Sequence, residues 1–316
     1  VSRQIAFLDE HAVTSRTPWP ALIDAIGDAF REGGASPARH HHEIPDRYGD
    51  EVTLLLMPAW NRTGDFGVKL AALARANAGR RLPTLHGVYV LFEGATGVPQ
   101  AVLDAGALTA RRTAAASALA SRYLSRPDAR TLLVIGTGRV ARNLIEAHCA
   151  VRAIEHVRVW GRNADHARAV AEAAQRAVDV PCTAVADVRR GATGADIISS
   201  AVPTEQPVLA GAWVEPGTHV DLVGAFRPQM CEADTALIAA ADQVHIDTVA
   251  GAREEAGDLL QAVDAGVFRL EQVAGDLFAM AAREAPLPRG RDEITVFKSV
   301  GSALQDLAAA QLCLQT

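Results

Sequence analysis

Residues 131–150, TLLVIGTGRVARNLIEAHCA, constrain this chain more than any other stretch. An apolar run (Leu132, Leu133, Val134, Ile135) ends at Gly136-Thr137-Gly138, and a helical pattern begins at once, with Val140, Leu144 and Ala147 spaced to share one face. Strand, glycine turn and helix, in that order, open a dinucleotide-binding βαβ unit. Gly136 permits the tight turn, Gly138 lets the backbone approach a pyrophosphate, and Ala141 is the small residue that keeps helix and strand close. The helix start offers free N–H groups and the positive end of its dipole to phosphate.

A second strand is expected at residues 156–160, HVRVW, where the unit requires one. The residues just past its end decide the cofactor. A site for NAD(H) commonly places an acid there to accept from the ribose 2′-OH. Here the chain reads Trp160-Gly161-Arg162-Asn163, with no acid before Asp165. Arg162 can instead face a 2′-phosphate with its planar fork of donors, so NADP(H) is favoured and NAD(H) is the alternative.

At 316 residues the chain is long enough for two domains, and 49% hydrophobic with 22% charged residues is a globular composition. A net charge of −6 argues against nucleic acid or an anionic membrane as the main partner. Cys149, Cys182, Cys231 and Cys313 are scattered, the pattern of a reduced compartment, and none has metal-site spacing. The N-terminal VSRQIAFLDEH lacks the basic-then-apolar layout of a signal peptide, and no run approaches the roughly 20 apolar residues of a membrane span. The expectation is a soluble, cytoplasmic protein with no metal site.

Before the glycine turn, an amphipathic helix is expected after Pro20, with Leu22, Ile26, Ala29 and Phe30 on one face and Gly33-Gly34 as its stop. Residues 36–47 read as a solvated polar loop, His40-His41-His42 included. Residues 51–103 are strand-like, in short β-rich runs (VTLLLMP, FGVKLAAL, GVYVLFE) with a hairpin at FEGATGVPQA. Residues 108–124 form an alanine-rich helix with Thr109 as its cap, leading through Ser-Arg-Pro-Asp into the glycine-turn strand. Beyond it, strand-like runs at CTAV, DIISSAV, HVDLVGA and QVHIDTV alternate with helical stretches at 164–177 and 228–241. That alternation predicts an α/β fold with a parallel sheet and helices on both faces. ITVFKSVGSALQDLAAAQLCL, near the end, reads as a strong final helix.

A hydride-transfer enzyme must hold its second reactant against the nicotinamide, and several basic residues stand in small or apolar settings where they could do so. Lys69 shares a strand face with Gly67 and Ala71, Arg111-Arg112 interrupt the alanine helix, and Arg39 lies before the sheet. Lys and Arg converging on one pocket would bind a carboxylate.

Taken together, LLLMPAW, GVKLAALARANAGRRLPTLHGVYVLFEGATGVPQAVLD, LTARRTAAASALASRYL, VIGTGRVARN, DLVGAFRP, EEAGDL and EITVFKSVGSALQDLAAA resemble the ornithine cyclodeaminase/mu-crystallin family, in the family's order and over nearly the whole chain. The resemblance implies an NAD(P)-dependent homodimer. It implies a Rossmann domain over 113–299 and a discontinuous α+β substrate-binding and dimerisation domain over 1–112 and 300–316. It also implies substrate-carboxylate ligands at Lys69 and Arg112, with Arg39 and Thr84 on further ligand positions. The phosphate turn is Gly136, Thr137, Gly138, Arg139 and Val140, with Arg162 and Asn163 at the ribose. Val202, Val223, Gly224, Ala225, Ser299 and Val300 fall where the family lines the nicotinamide.

Two positions depart from the cyclodeaminases. The aspartate that works on the substrate amines is replaced by Phe226, and a second acid by Leu55. Losing ammonia while a side-chain amine attacks requires a carboxylate to hold cations and move protons, which neither residue supplies unless Glu232 or Asp221 compensates. A cyclic imino acid arrives already protonated and requires hydride alone. The expected activity is therefore NADPH-dependent reduction of a cyclic imine or 2-imino acid to an L-amino acid, with Lys69 or water as proton source. Ornithine cyclodeamination is the runner-up and a non-catalytic dinucleotide- or ligand-binding protein the third reading.

Overall fold

The chain forms two different kinds of sheet, one mostly antiparallel before residue 105 and one parallel after residue 130. The computed structural model describes residues 5–45, 51–80, 82–283, 285 and 287–315. The chain divides into two units, 1–112 with 302–316, and 113–301.

The first unit is built on a seven-stranded sheet of β1 (Ala6–Leu8), β2 (Gly34–Ala35), β3 (His40–Pro45), β4 (Glu51–Asn61), β5 (Phe66–Ala74), β6 (Leu85–Phe92) and β7 (Pro99–Asp104). The order is β1-β7-β6-β5-β4-β2, with β3 also on β4; β1 runs parallel to β7 and the other pairings are antiparallel. Successive side chains of β5 alternate between faces, so Gly67, Lys69 and Ala71 are buried while Phe66, Val68 and Leu70 are half-buried. The helix Trp19–Glu32 buries Leu22, Ile23, Ile26 and Phe30 and stops at Gly33, whose φ of 82° suits glycine. It packs on the terminal helix Ala303–Gln315, which is buried from Ala303 to Ala310.

Three expectations change here. The triple histidine lies in strand β3, paired with Leu54, Leu55 and Leu56, because an exposed polar run can still complete a sheet edge. The alanine helix begins earlier, at Ala105, with the Asp104 carboxylate accepting from the Ala107 N–H at 2.6 Å, so Thr109 is not its cap. The final helix starts only at Ala303, because Thr295–Lys298 is a strand of the second unit.

The second unit carries an eight-stranded parallel sheet of β8 (Thr131–Ile135), β9 (His156–Trp160), β10 (Cys182–Ala184), β11 (Ile197–Ser200), β12 (His219–Leu222), β13 (Gln243–Ile246), β14 (Val273–Gly275) and β15 (Thr295–Lys298). The order β10-β9-β8-β11-β12-β15-β13-β14 reverses direction between β8 and β11, which is where ligands of such sheets bind, beyond the carboxyl ends of the strands. Leu132 and Val134 enter a core with Ala141, Ile145 and Val170, whereas Leu133 and Ile135 enter another with Val188, Leu237 and Leu259. Helices therefore cover both faces. In the 228–241 stretch only Thr235–Ala240 is helical, started by Asp234, whose side chain accepts from the Leu237 N–H.

Candidate active site

In the first unit the sheet and the two neighbouring helices bring three charges together. Lys69 comes from the buried face of β5, Arg112 from the helix Ala105–Leu124 and Asp306 from the terminal helix. Lys69 Nζ lies 2.8 Å from Asp306 Oδ2, and Arg112 Nε donates to Asp306 Oδ1 at 3.0 Å. Arg112 also donates to Gln305 Oε1 at 2.6 Å, and Thr109 Oγ1 is 3.4 Å from Lys69 Nζ. All three charged side chains are within 6% of complete burial.

Burial pulls the Lys69 ammonium down from 10.5 to about 8, with Asp306 opposing the fall and Arg112 and Arg39 adding to it. Burial pushes the Asp306 carboxyl up, but Arg112 and Lys69 outweigh it and hold the group below the usual carboxylate value. Two cations against one anion leave one net positive charge in this cluster among the described residues. A buried net charge asks for a partner, and a single carboxylate would balance it.

Arg39 is half-buried and close enough to Lys69 to lower its pKa. Thr84 is exposed, its carbonyl accepting from the Ala74 N–H at 2.8 Å. Arg111, adjacent to Arg112, belongs elsewhere: it donates to Thr17 and lies 3.5 Å over the Trp19 ring. Successive helical residues point about 100° apart, which separates the two arginines.

Reading of the sequence alone missed Asp306, Gln305 and Tyr89. Tyr89 sits opposite Lys69 on β6, and its Oη is buried with no hydrogen-bond partner among the described residues. Burial first, then the charge of Asp306, raise its pKa well above 10.0, so the hydroxyl keeps its proton. A Cβ on Gly67 would stand 2.2 Å from that oxygen, which is why β5 has glycine there.

In the second unit, Gly136 has φ 129° and its Cα faces the Ala201 carbonyl, 3.0 Å from where a Cβ would stand, and Ala141. A Cβ on Gly138 would meet nothing within 4 Å, so the space above the turn is open. The helix Arg139–Cys149 starts at Gly138 with no side-chain cap hydrogen bond, and Thr137, Arg139 and Val140 flank that start, where the positive end of the helix dipole lies. A dinucleotide pyrophosphate fits this cradle. Arg162 is exposed beyond the end of β9. Asn163 caps the next helix, its Oδ1 accepting from Asp165 and His166, which leaves its amide NH2 free to donate outward.

Ile135, Ser200, Leu222 and Lys298 form one row across β8, β11, β12 and β15. The turns after these strands leave the sheet at the same level. They contain Val202 (half-buried), Val223 and Gly224, and Ser299 and Val300 (both buried). Phe226 is 38% exposed just past the second of them. Glu232 does not replace the missing acid, since both of its oxygens accept from backbone N–H groups. Asp221 is buried on Ser199 Oγ at 2.5 Å, with His148 Nε2 at 3.6 Å. Among the described residues no cluster could hold a metal ion, and no helix is long and apolar enough to cross a membrane.

Fold and site define an α/β protein with a dinucleotide-binding sheet in its second unit and a buried cationic cradle in its first. More particularly, the chain belongs to the ornithine cyclodeaminase/mu-crystallin family, whose model matches residues 3–315. It is 37% identical to the Delta(1)-pyrroline-2-carboxylate reductase of Paracoccus denitrificans over 96% of this chain and 94% of that protein. The structure of Thermococcus litoralis Delta(1)-pyrroline-2-carboxylate reductase in complex with NADH and L-proline superposes with a TM-score of 0.91, at 28% identity, covering 98% of this chain and 97% of that one. An archaeal alanine dehydrogenase dimer with bound NAD gives a TM-score of 0.88 at 26% identity, covering 98% and 95%.

Proposed function

We propose that this protein reduces a cyclic 2-imino acid, of the Δ1-pyrroline-2-carboxylate or Δ1-piperideine-2-carboxylate kind, to the corresponding L-amino acid. The observation that carries the reading is the net positive charge of the Lys69–Asp306–Arg112 cluster, complementary to one carboxylate. The names of the relatives at 37% and 28% identity support it independently.

A nicotinamide dinucleotide, when bound, supplies a hydride to the imine carbon. Arg112 presents its guanidinium edge to the substrate carboxylate while Gln305 and Asp306 fix its orientation. Lys69 pairs with the same carboxylate, and a pKa near 8 lets it also hold or release a proton near neutral pH. Because the iminium nitrogen already bears its proton, hydride addition leaves a neutral secondary amine that then takes one proton to become the ammonium. The apolar ring of Phe226 suits a substrate without a terminal amine.

Within the same proposal, Arg162 favours NADP(H) over NAD(H). The protein is a homodimer in the cytoplasm. The half-buried face of the first unit's sheet supports the dimer: Pro58, Trp60, Phe66, Val68 and Phe92 line an apolar hollow of about 560 Å³. The Phe66 and Phe92 rings stack within it at 4.8 Å.

The test is oxidation of NADPH and NADH with each cyclic imine, run beside ammonia release from L-ornithine. Imine-dependent oxidation without ammonia is the expected result. Ammonia and proline from ornithine would overturn it.

A further inference from the structure

Three of the four turns at the carboxyl ends of β8, β11, β12 and β15 are tied from behind by buried carboxylates. Glu232 accepts from Ser200 Oγ at 2.6 Å and Val202 N–H at 2.9 Å through Oε1, and from Gly224 N–H at 2.5 Å and Ala225 N–H at 3.2 Å through Oε2. Asp247 Oδ2 accepts from Ser299 Oγ at 2.9 Å, Val300 N–H at 2.9 Å and Gly301 N–H at 2.6 Å. Both carboxylates are fully buried. Behind Glu232, Asp258 Oδ1 receives the N–H groups of Glu232 and Ala233, and Lys298 Nζ lies 2.8 Å from Asp258 Oδ2 and 3.8 Å from Glu232 Oε2.

We propose that Glu232 and Asp247 are positioning residues for the nicotinamide half of the dinucleotide: from inside the fold they lock the turns at 202, 224–225 and 299–301 without touching the ring. The proposal rests on the reading that this chain uses a nicotinamide dinucleotide. Its geometric basis is that these turns leave the sheet beside the pyrophosphate turn, on the far side of the reversal in strand order, where the second half of a dinucleotide lies. Turns at a sheet edge ordinarily give their N–H groups to water. Here two carboxylates take them, at the desolvation cost of burying two anions, and rigid backbone at a ligand's edge is what that cost secures.

Gly224 fits the same account. A Cβ there would stand 2.3 Å from the Val202 nitrogen and 2.7 Å from Glu232 Oε1, so two of the turns are in contact over it. The basic and acidic groups around Glu232 are Lys298 and Asp258, and neither of them bonds to the turns.

The test compares two ligands, NADPH and 2′-phospho-ADP-ribose, which lacks only the nicotinamide. Both are titrated by fluorescence or calorimetry into the wild-type protein, Glu232→Gln and Asp247→Ala. In Glu232→Gln an NH2 faces the N–H donors of one of its two turns, and Asp247→Ala removes the acceptor of the turn at 299–301. NADPH binding and kcat/KM for the imine should fall about tenfold or more, while 2′-phospho-ADP-ribose binding stays within about twofold.

Where Glu232→Gln does not fold, Ser200→Ala removes one of the four donors and should weaken NADPH alone by a few-fold. Unchanged NADPH binding in the variants overturns the proposal, as does equal loss of both ligands, the mark of a general role in folding. A wild-type protein that binds neither these two ligands nor NADH and ADP-ribose overturns the dinucleotide reading itself, and the proposal with it.

Discussion

Lys69 is the residue whose chemistry the surroundings change most visibly. In the proposed function its ammonium meets the substrate carboxylate, and burial brings its pKa to about 8. Imine reduction should therefore lose kcat/KM as pH rises through about 8, read from a pH–rate profile. Asp306 raises the Lys69 pKa, so Asp306→Asn should move that falling limb to lower pH. The same shift has a stability consequence. Because the folded-state pKa lies below the unfolded value of 10.5, the unfolded chain binds more protons between about 8 and 10.5, and stability should rise with pH across that window. Chemical denaturation of the wild type against Lys69→Met checks the sign, since the methionine variant should lack that rise.

Strand alternation put Lys69 on one face with Gly67 and Ala71, and it is the fold that buries that face. Asp306 and Gln305 were not legible. They sit in an apolar helix more than 190 residues from Arg112, and pairing across that distance depends on the fold. The available signal was two adjacent polar residues inside LQDLAAA, a stripe that is otherwise buried. Pattern alone does not tell Arg111 from Arg112; the family resemblance points to Arg112, and the turn of the helix separates the two side chains.

At the scale of elements, the glycine turn makes a sharp comparison. Gly138→Ala adds a methyl where no protein atom lies within 4 Å, so the melting temperature should hold while dinucleotide affinity falls. Gly136→Ala meets the Ala201 carbonyl at 3.0 Å and a φ of 129°, so it should lose stability as well. The strand–turn–helix unit and the strand at His156–Trp160 were fully legible, since local pattern and tertiary role agree there. The helix cap, Asp104, lies five residues before Thr109. Asp104→Ala should cost about 1 kcal/mol in denaturation experiments, and Thr109→Ala should leave helix stability unchanged. Thr295–Lys298 was read as helix because it runs straight into a helical pattern, although Thr295-Val296-Phe297 carry the β-branched and aromatic character of a strand.

At the scale of the whole molecule, neither periodicity nor composition marks the apolar hollow of the first unit. Its residues alternate with buried ones, as they would on any sheet with a solvated face. As a dimer contact, it predicts that Trp60→Glu lowers the mass measured by analytical ultracentrifugation from two chains to one, whereas an unchanged mass would assign the hollow another role. In the proposed function, one buried positive charge and a dinucleotide cradle together make an imine reductase. This is tested most directly by following NADPH absorbance with Δ1-pyrroline-2-carboxylate, wild type beside Arg112→Ala. Rapid oxidation with L-proline as product is expected, with a loss of kcat/KM of about a hundredfold or more in the variant, the scale of removing a charge-assisted pair. Equal rates in the two proteins, or ammonia release from ornithine in place of imine reduction, would contradict it.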